Sequence, residues 1–174
     1  MQLSDDDFAL FGLPRRFTLD RAALDARWRA LQAEAHPDRF AAEGASAQRV
    51  AMQWSMRLNE AHRRLKDPLA RASYLCELHG APVRAEDNTA MPAAFLMQQM
   101  AWREALDDAA DLPAVEALDA EVRADERRRF DTVSALLDAP AADAAAAAAE
   151  VRALMFVARF RQDIARRLEA LEPH

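Results

Sequence analysis

Apolar residues recur at spacings of three and four along most of the chain, which is the period of an amphipathic helix. Leu24, Trp28, Leu31 and Ala35 form the first long stripe. After a break, a second stripe comprises Ala47, Val50, Trp54, Leu58, Ala61 and Leu65. Two such stripes joined by about ten residues predict an antiparallel helical hairpin, with each helix burying its apolar face against the other.

The break between the two stripes contains His36, Pro37 and Asp38. Proline has no backbone N–H and disfavours the α region for the residue before it, so the first helix should stop at His36. The sequence therefore predicts an imidazole and a carboxylate displayed at a helix end, followed by a loop over 41–45. Taken alone, this tripeptide is equally compatible with a proline-capped turn that carries two polar surface residues.

Short polar side chains mark where the neighbouring helices begin and end. Thr18 or Asp20 can cap the first hairpin helix, and Ser46 can cap the second. A short apolar segment precedes the hairpin, and one more helix is expected after Asp67, which Pro68 follows. Residues 80–92 contain two prolines and little periodicity, so they are predicted to connect two domains.

The C-terminal half predicts three helices, at about 93–110, at about 114–138, and from the alanine tract 144–149 onward. Their apolar stripes favour an antiparallel three-helix bundle or a bent hairpin. Counting about 100° per residue, several residues of the first helix lie away from its apolar stripe. They are Leu96, Met97, Met100, Arg103, Glu104 and Asp107. Phe156 is predicted to lie roughly opposite the inward face of the last helix.

This second, mixed face admits two explanations. Helices in bundles often bury two faces, so its apolar members can belong to the core. Methionine is also common on adaptable binding surfaces, and exposed apolar residues rimmed by charge indicate a partner site.

Composition agrees with an all-α protein. Only 3 of the 174 residues are Gly, 52% are apolar, and β-branched residues are scarce. The single Cys76 cannot form an internal disulfide, which favours a reducing compartment. The N-terminus is acidic, unlike a secretory signal, and no apolar run approaches the roughly 18 residues of a membrane span. These features predict a cytoplasmic protein.

Charge and side-chain spacing argue against several functions. Residues 1–79 carry 12 Lys/Arg and 11 Asp/Glu, whereas residues 80–174 carry 11 and 18, so neither half has the basic excess expected of a nucleic-acid-binding domain. The four His residues and Cys76 do not show metal-ligand spacing. Without a phosphate loop or a nucleophile motif, the chain is predicted to have no catalytic residue, no metal and no cofactor.

The combination of these segments resembles a J-domain, the module by which co-chaperones act on DnaK-type ATPases. The resemblance rests on the short helix, the basic helix, the His36-Pro37-Asp38 loop, and a helix containing the sequence of residues 58–61. The continuation over 67–75 and the stretch 94–97 resemble one branch of these proteins, the HscB family of iron–sulfur co-chaperones. The resemblance covers nearly the whole chain.

The resemblance implies a J-domain at 1–76, a connection at 77–92 and a scaffold-binding domain at 93–174. It implies two partners, an HscA-like ATPase and an IscU-like iron–sulfur scaffold protein. The residues expected to bind the ATPase are His36, Pro37, Asp38, Arg27, Arg29 and Arg39. Those expected to bind the scaffold are Leu96, Met97, Met100, Arg103, Glu104, Asp108 and Phe156.

Two positions depart from the pattern of these families. Ala30 stands where general J-domains commonly have a basic residue, and Ala101 stands where a family member can have an acidic one. Two other functions remain open on the sequence. They are a general J-domain co-chaperone with a different client and a purely structural helical adaptor.

Overall fold

The computed structural model describes residues 2–84 and 91–171, and within these ranges the chain forms helices and no strand, so the all-α prediction is confirmed. The helices are α1 Asp7–Phe11, α2 Arg21–Glu34, a 3₁₀ helix Pro37–Glu43, α3 Ala45–Lys66, α4 Pro68–Leu78, α5 Ala93–Asp108, α6 Leu112–Leu137 and α7 Ala144–Leu171. None of the helices in these ranges combines the length and apolar composition that a membrane crossing requires.

The chain divides into two compact units, Met1–Leu75 and Cys76–His174, and α4 continues across the boundary. The predicted connection 77–92 belongs to the second unit, and its residues 77 and 78 are the last two residues of α4. Its residues 85–90 lie outside the described residues.

The first unit is built on the α2–α3 hairpin. Ascending positions on α2 bond descending positions on α3, from Asp25 with His62 to Gln32 with Ser55, so the two helices are antiparallel. The apolar stripes form the core beneath these hydrogen bonds, and their fully buried members include Leu24 and Leu58. Burial of each such side chain stabilises the fold by about 1.5–3 kcal/mol.

Three local predictions around the hairpin had different outcomes. Asp20 caps α2 by accepting a 3.0 Å hydrogen bond from the N–H of Ala23. Ser46 does not cap α3, because that helix begins at Ala45 and Ser46 is its second residue; the cap position is held by Gly44, whose φ of 94° favours glycine. The predicted loop over 41–45 is wrong for its first part, since the 3₁₀ helix continues to Glu43.

The N-terminal part of the second stripe is less buried than its periodicity predicts. Val50 is 49% exposed, and Ala47 and Trp54 are only partly buried. The reason is length, because α3 has 22 residues and α2 only 14, so α2 cannot cover the first turns of α3. An apolar groove results between these turns and Leu31 and Phe40.

A buried carboxylate attaches α1 to the hairpin. Asp7 is fully buried, and its carboxylate lies 2.7 Å from the Arg57 guanidinium and 3.0 Å from that of Arg64. Its backbone N–H donates to the hydroxyl of Tyr74 at 3.1 Å. A charge without partners would be costly at this depth, so the pairing with two arginines explains how an acidic N-terminus can be folded into the core.

In the second unit, α5, α6 and α7 share one core, so the predicted three-helix arrangement is confirmed. Phe95 and Trp102 of α5 pack with Val122 of α6 and with Val157 and Phe160 of α7. The alanine tract begins α7, whose first turn is capped by Asp143, because the carboxylate accepts a 3.0 Å hydrogen bond from the N–H of Ala146.

Polar contacts fix α5 against the other two helices. The indole N–H of Trp102 donates to Glu121 of α6 at 2.8 Å. The guanidinium of Arg129 lies 4.3 Å from the ring centroid of Phe95 and pairs with Glu150 of α7 at 2.8 Å. These contacts involve buried or half-buried groups, so they define the rotation of α5 about its axis more closely than apolar packing alone would.

Candidate partner-binding surfaces

The His36 loop is a short, locally ordered structure rather than a free turn. Pro37 is the first residue of the 3₁₀ helix, where its fixed φ is suitable and its missing N–H costs nothing. The backbone N–H of Asp38 donates to Nδ1 of His36 at 3.3 Å, so the imidazole caps this helix. An accepting Nδ1 leaves the proton of a neutral imidazole on Nε2, which gives the exposed ring a donor for a partner.

The side chains of the loop are open to solvent. The side chain of Asp38 is 89% exposed and that of His36 is 58% exposed, with Nδ1 3.6 Å from the Asp38 carboxylate. The chemistry of this arrangement is that of a polar contact surface. Because both side chains are this exposed, they do not lie in a pocket that would shield a reacting group from water.

The predicted basic residues divide into two groups. Arg29 is exposed on α2, and Arg39 donates to the carbonyl oxygen of Ala33 at 3.2 Å, which holds its guanidinium beside the last turn of α2. Arg27 is also exposed, but its Nε donates to the carbonyl oxygen of Phe11 at 3.2 Å. Arg27 therefore contributes to the attachment of α1, a role that the sequence did not indicate.

The mixed face of α5 is exposed. Leu96 is 46% exposed, and Met97 and Met100 are each 71% exposed. Arg103, Glu104 and Asp108 on the same helix are exposed as well. The sequence left two explanations open for this face of α5. Burial in the core is excluded within this unit, so the face is an exposed apolar surface with charged neighbours.

Phe156 was predicted to lie roughly opposite the inward face of α7, and that prediction is wrong. Its side chain is half-buried, meets Phe95 edge to face at 5.8 Å and stacks on Phe160 at 6.1 Å between ring centroids. A helix that packs on two neighbours buries a wider arc than one stripe. The guanidinium of Arg103 lies 5.5 Å from the centroid of the Phe156 ring, so Phe156 supports the α5 surface from below.

Neither cysteine nor histidine forms a metal site in the described ranges, where no three residues among His, Cys, Asp and Glu converge. Cys76 is fully buried, and burial raises its thiol pKa to about 11. The thiol is therefore protonated at neutral pH and behaves as a small apolar core residue. His174, the last histidine weighed as a ligand, lies outside the described residues.

His62 belongs to a polar seam between α2 and α3 that the sequence analysis did not identify. Its ring stacks on Trp28 at 4.5 Å, and its Nε2 lies 2.6 Å from the Asp25 carboxylate. The hydrogen bond from His62 is the main reason that the pKa of Asp25 is lowered from its ordinary value. Trp28 also donates its indole N–H to Asn59 at 3.0 Å.

Two exposed methionines on α3 lie outside the apolar stripes that the sequence predicted. Met52 is 55% exposed and Met56 is 66% exposed. Their spacing of four, off the apolar stripe of α3, was the available signal, because residues at this spacing share one helix face.

Comparison with known proteins gives matches over nearly the whole chain. A family model described as the HSCB C-terminal oligomerisation domain matches residues 91–165. The Co-chaperone protein HscB homolog of Paraburkholderia xenovorans is 54% identical over 173 residues, which is 98% of this chain and 98% of that one.

Solved structures agree with these sequence matches. Chaperone HscB from Vibrio cholerae is 35% identical, with a TM-score of 0.82 over 97% of this chain and 100% of that one. The human co-chaperone protein HscB is 26% identical, with a TM-score of 0.87 over 95% of this chain and 83% of that one.

Proposed function

Because the chain belongs to the HscB family of co-chaperones, we propose that it stimulates ATP hydrolysis by an HscA-like chaperone of the DnaK type. We propose further that it delivers an IscU-like scaffold protein to that chaperone. The family supports a co-chaperone role in iron–sulfur cluster assembly, and the two named partners are the specific part of the proposal. The chain itself needs no cofactor, since ATP is hydrolysed by the partner.

One observation carries the proposal, namely that the two compact units each expose a different kind of contact surface. The first unit has the loop surface, which we define as His36, Pro37, Asp38, Arg29 and Arg39. The second unit has the α5 surface, which we define as Leu96, Met97, Met100, Arg103, Glu104 and Asp108. Two surfaces of different chemistry are what a protein needs in order to bind two partners at once.

The loop surface suits an acidic patch on the chaperone. Exposed arginines steer an oppositely charged partner toward the surface, which raises the association rate and makes it dependent on salt. After encounter, the exposed imidazole and carboxylate of the loop provide directional hydrogen bonds. We propose that the J-domain is the region 1–76, and that docking of this loop is what accelerates ATP hydrolysis.

The α5 surface suits a client with an apolar patch. Three exposed apolar side chains on adjacent turns can be desolvated together, and a cluster of this kind often dominates the binding energy of an interface. Arg103 and Glu104 at its edge can pair with charges on the client and fix its orientation. We propose that the region 93–174 carries the scaffold, with Phe156 supporting this surface through Arg103.

A second candidate for the α5 surface is another copy of the same chain. The matching family model is described as an oligomerisation domain, and an exposed apolar patch can equally bind its own copy. Sedimentation velocity of the full chain and of the triple variant Leu96→Ala, Met97→Ala, Met100→Ala separates the two. If the full chain self-associates and the variant does not, the α5 surface binds a second copy of the chain. If the full chain is a monomer at working concentration, the surface is available for the client.

The proposal is tested with the purified full chain, the chaperone and the scaffold. Calorimetric titration should detect scaffold binding to the chain and lose it in the triple variant. The matched control is Met52→Ala with Met56→Ala, which removes equally exposed methionines from the first unit and should leave scaffold binding unchanged. Absence of binding to the unmodified chain would exclude this client, while stimulation of the ATPase would still support the co-chaperone role.

A further inference from the structure

Met52 and Met56 have no role in the two surfaces described so far. Both lie on α3, four residues apart, and both are more than half exposed. Single exposed apolar residues are common on protein surfaces. A pair one helical turn apart forms a continuous apolar patch, because side chains at this spacing are neighbours.

The methionines lie directly beside the polar seam of the hairpin. Ser55 donates to the side-chain oxygen of Gln32 on α2 at 2.8 Å, and Asn59 accepts from Trp28, so these two α3 residues face α2. Met52 precedes Ser55 by three residues, and Met56 precedes Asn59 by three. Each methionine side chain is therefore a neighbour of a residue that contacts α2 and lies farther from the core than that residue.

Arg29 holds the equivalent position on α2. Counting about 100° per residue, Arg29 lies about 140° from buried Leu24, and Met56 lies about 160° from buried Leu58. Going around the axis of each helix, the buried core residue comes first, the residue that bonds the other helix comes next, and Arg29 or Met56 follows on the outside. Since the helices are antiparallel, both outer positions open on the same side of the hairpin. The methionine pair and Arg29 thus border one surface, with the seam between them.

This outer side also reaches the loop. Arg39 is bonded to the carbonyl oxygen of Ala33, which follows Arg29 by four residues on the same helix face. Met52 lies in the half of α3 nearer the His36 loop, which joins the two helices. The methionine pair is therefore continuous with the loop surface that the proposed function assigns to the chaperone.

The charges around the pair are mainly positive. Arg49 and Arg63 are exposed on α3, three residues before Met52 and seven after Met56. The nearby acidic residue Glu60 is paired with Arg64 at 2.7 Å. An apolar centre with a basic border is complementary to a partner surface that has apolar side chains bordered by carboxylates.

We propose that Met52 and Met56 are the apolar anchor of the chaperone contact, occupied by an apolar, acid-bordered surface of the partner ATPase. This inference rests on the proposed function and adds residues to its docking site. The arginines accelerate the encounter, whereas desolvation of the two methionines slows dissociation. Flexible, polarizable methionine side chains are suited to a surface that must engage and release a moving partner.

The test is stimulation of the chaperone ATPase by the full-length double variant Met52→Gln, Met56→Gln. Glutamine has nearly the length and helix propensity of methionine, so helicity should not change. We expect the half-saturating co-chaperone concentration to rise roughly tenfold, with the maximal rate and the salt dependence retained. Met52→Leu with Met56→Leu keeps apolar area and should stay near the unmodified value.

The matched control is Val50→Gln, which changes a 49% exposed apolar residue of the same helix outside both surfaces and should leave basal stimulation unchanged. An unchanged half-saturating concentration in the Met52, Met56 glutamine variant would overturn the inference, while loss of stimulation in His36→Gln would leave the proposed function intact. Failure of the unmodified chain to stimulate the ATPase would overturn both.

Discussion

The loop surface and the α5 surface are similarly exposed, but they are supported in different ways. The loop surface is held by local backbone contacts, chiefly the Asp38 N–H on His36 and the Arg39 guanidinium on Ala33. The α5 surface is carried by a helix whose opposite side, at Phe95 and Trp102, is part of the core. A functional side chain can thus be positioned either by a short capped turn or by tertiary packing.

This difference separates function from stability in the first unit and couples them in the second. Replacing an exposed loop side chain removes at most one local hydrogen bond, so a small change in stability is expected. Replacing a residue beneath the α5 surface changes the packing of three helices as well as the binding site. The predictions below test this contrast.

The largest expected effect is that of His36→Gln. Because the His36 side chain is exposed and contacts its near neighbour Asp38, the variant should lose essentially all stimulation of the chaperone ATPase while its unfolding temperature changes little. Loss of the cap itself costs about 1 kcal/mol or less. ATPase assays and thermal unfolding followed by circular dichroism measure the two properties, and full stimulation by the variant would contradict the J-domain role of this loop.

In the second unit, Phe156→Ala should affect both stability and scaffold binding. Truncating a half-buried aromatic that contacts Phe95 and Phe160 should lower the free energy of unfolding by about 2 kcal/mol. Met97→Ala, at an exposed position, should weaken binding without a measurable change in stability. Denaturant unfolding and calorimetry distinguish the two variants, and equal stabilities would remove the proposed contrast between support and contact.

Arg29→Ala should have a smaller effect, and that effect should depend on salt. Arg29 is exposed on the loop surface, so its removal should reduce the association rate by roughly twofold to fivefold at low ionic strength and less at high. Stopped-flow association across a salt series provides the measurement. Met97→Ala serves as the control, and a salt-independent loss in Arg29→Ala would indicate a role other than steering.

The smallest effect concerns acid stability of the hairpin. The hydrogen bond from His62 lowers the pKa of Asp25, so this contact adds stability above the ordinary carboxyl pKa near 3.8, and the stability is lost as the pH falls through the lowered value. Asp25→Asn should therefore make the decline in unfolding temperature between pH 5 and about pH 3 slightly shallower. If the unfolding temperatures of the unmodified chain and of Asp25→Asn decline in parallel, the contact between Asp25 and His62 does not contribute to acid stability.

Sequence reasoning identified the hairpin, the three C-terminal helices and the second, mixed face of α5 because each is encoded locally, but it left open whether that face is buried. Leu96, Met97 and Met100 could be separated from Phe95 and Trp102 by counting turns along one helix. The same counting was wrong for Phe156, because α7 contacts two other helices and buries a wider arc. It also overestimated the burial of Val50, since the lengths of α2 and α3 differ and only their pairing shows which turns are covered.

The sequence by itself determined the helical periods, the stop at Pro37 and the family to which the chain is similar, since these depend on residues close together in the chain. Only the tertiary structure decided that Asp7 is buried between Arg57 and Arg64, that Arg27 bonds α1, and that Met52 and Met56 border the same surface as Arg29. These relations join residues that are far apart in sequence. They follow from how helix faces pair and from how much of each face the neighbouring helices cover.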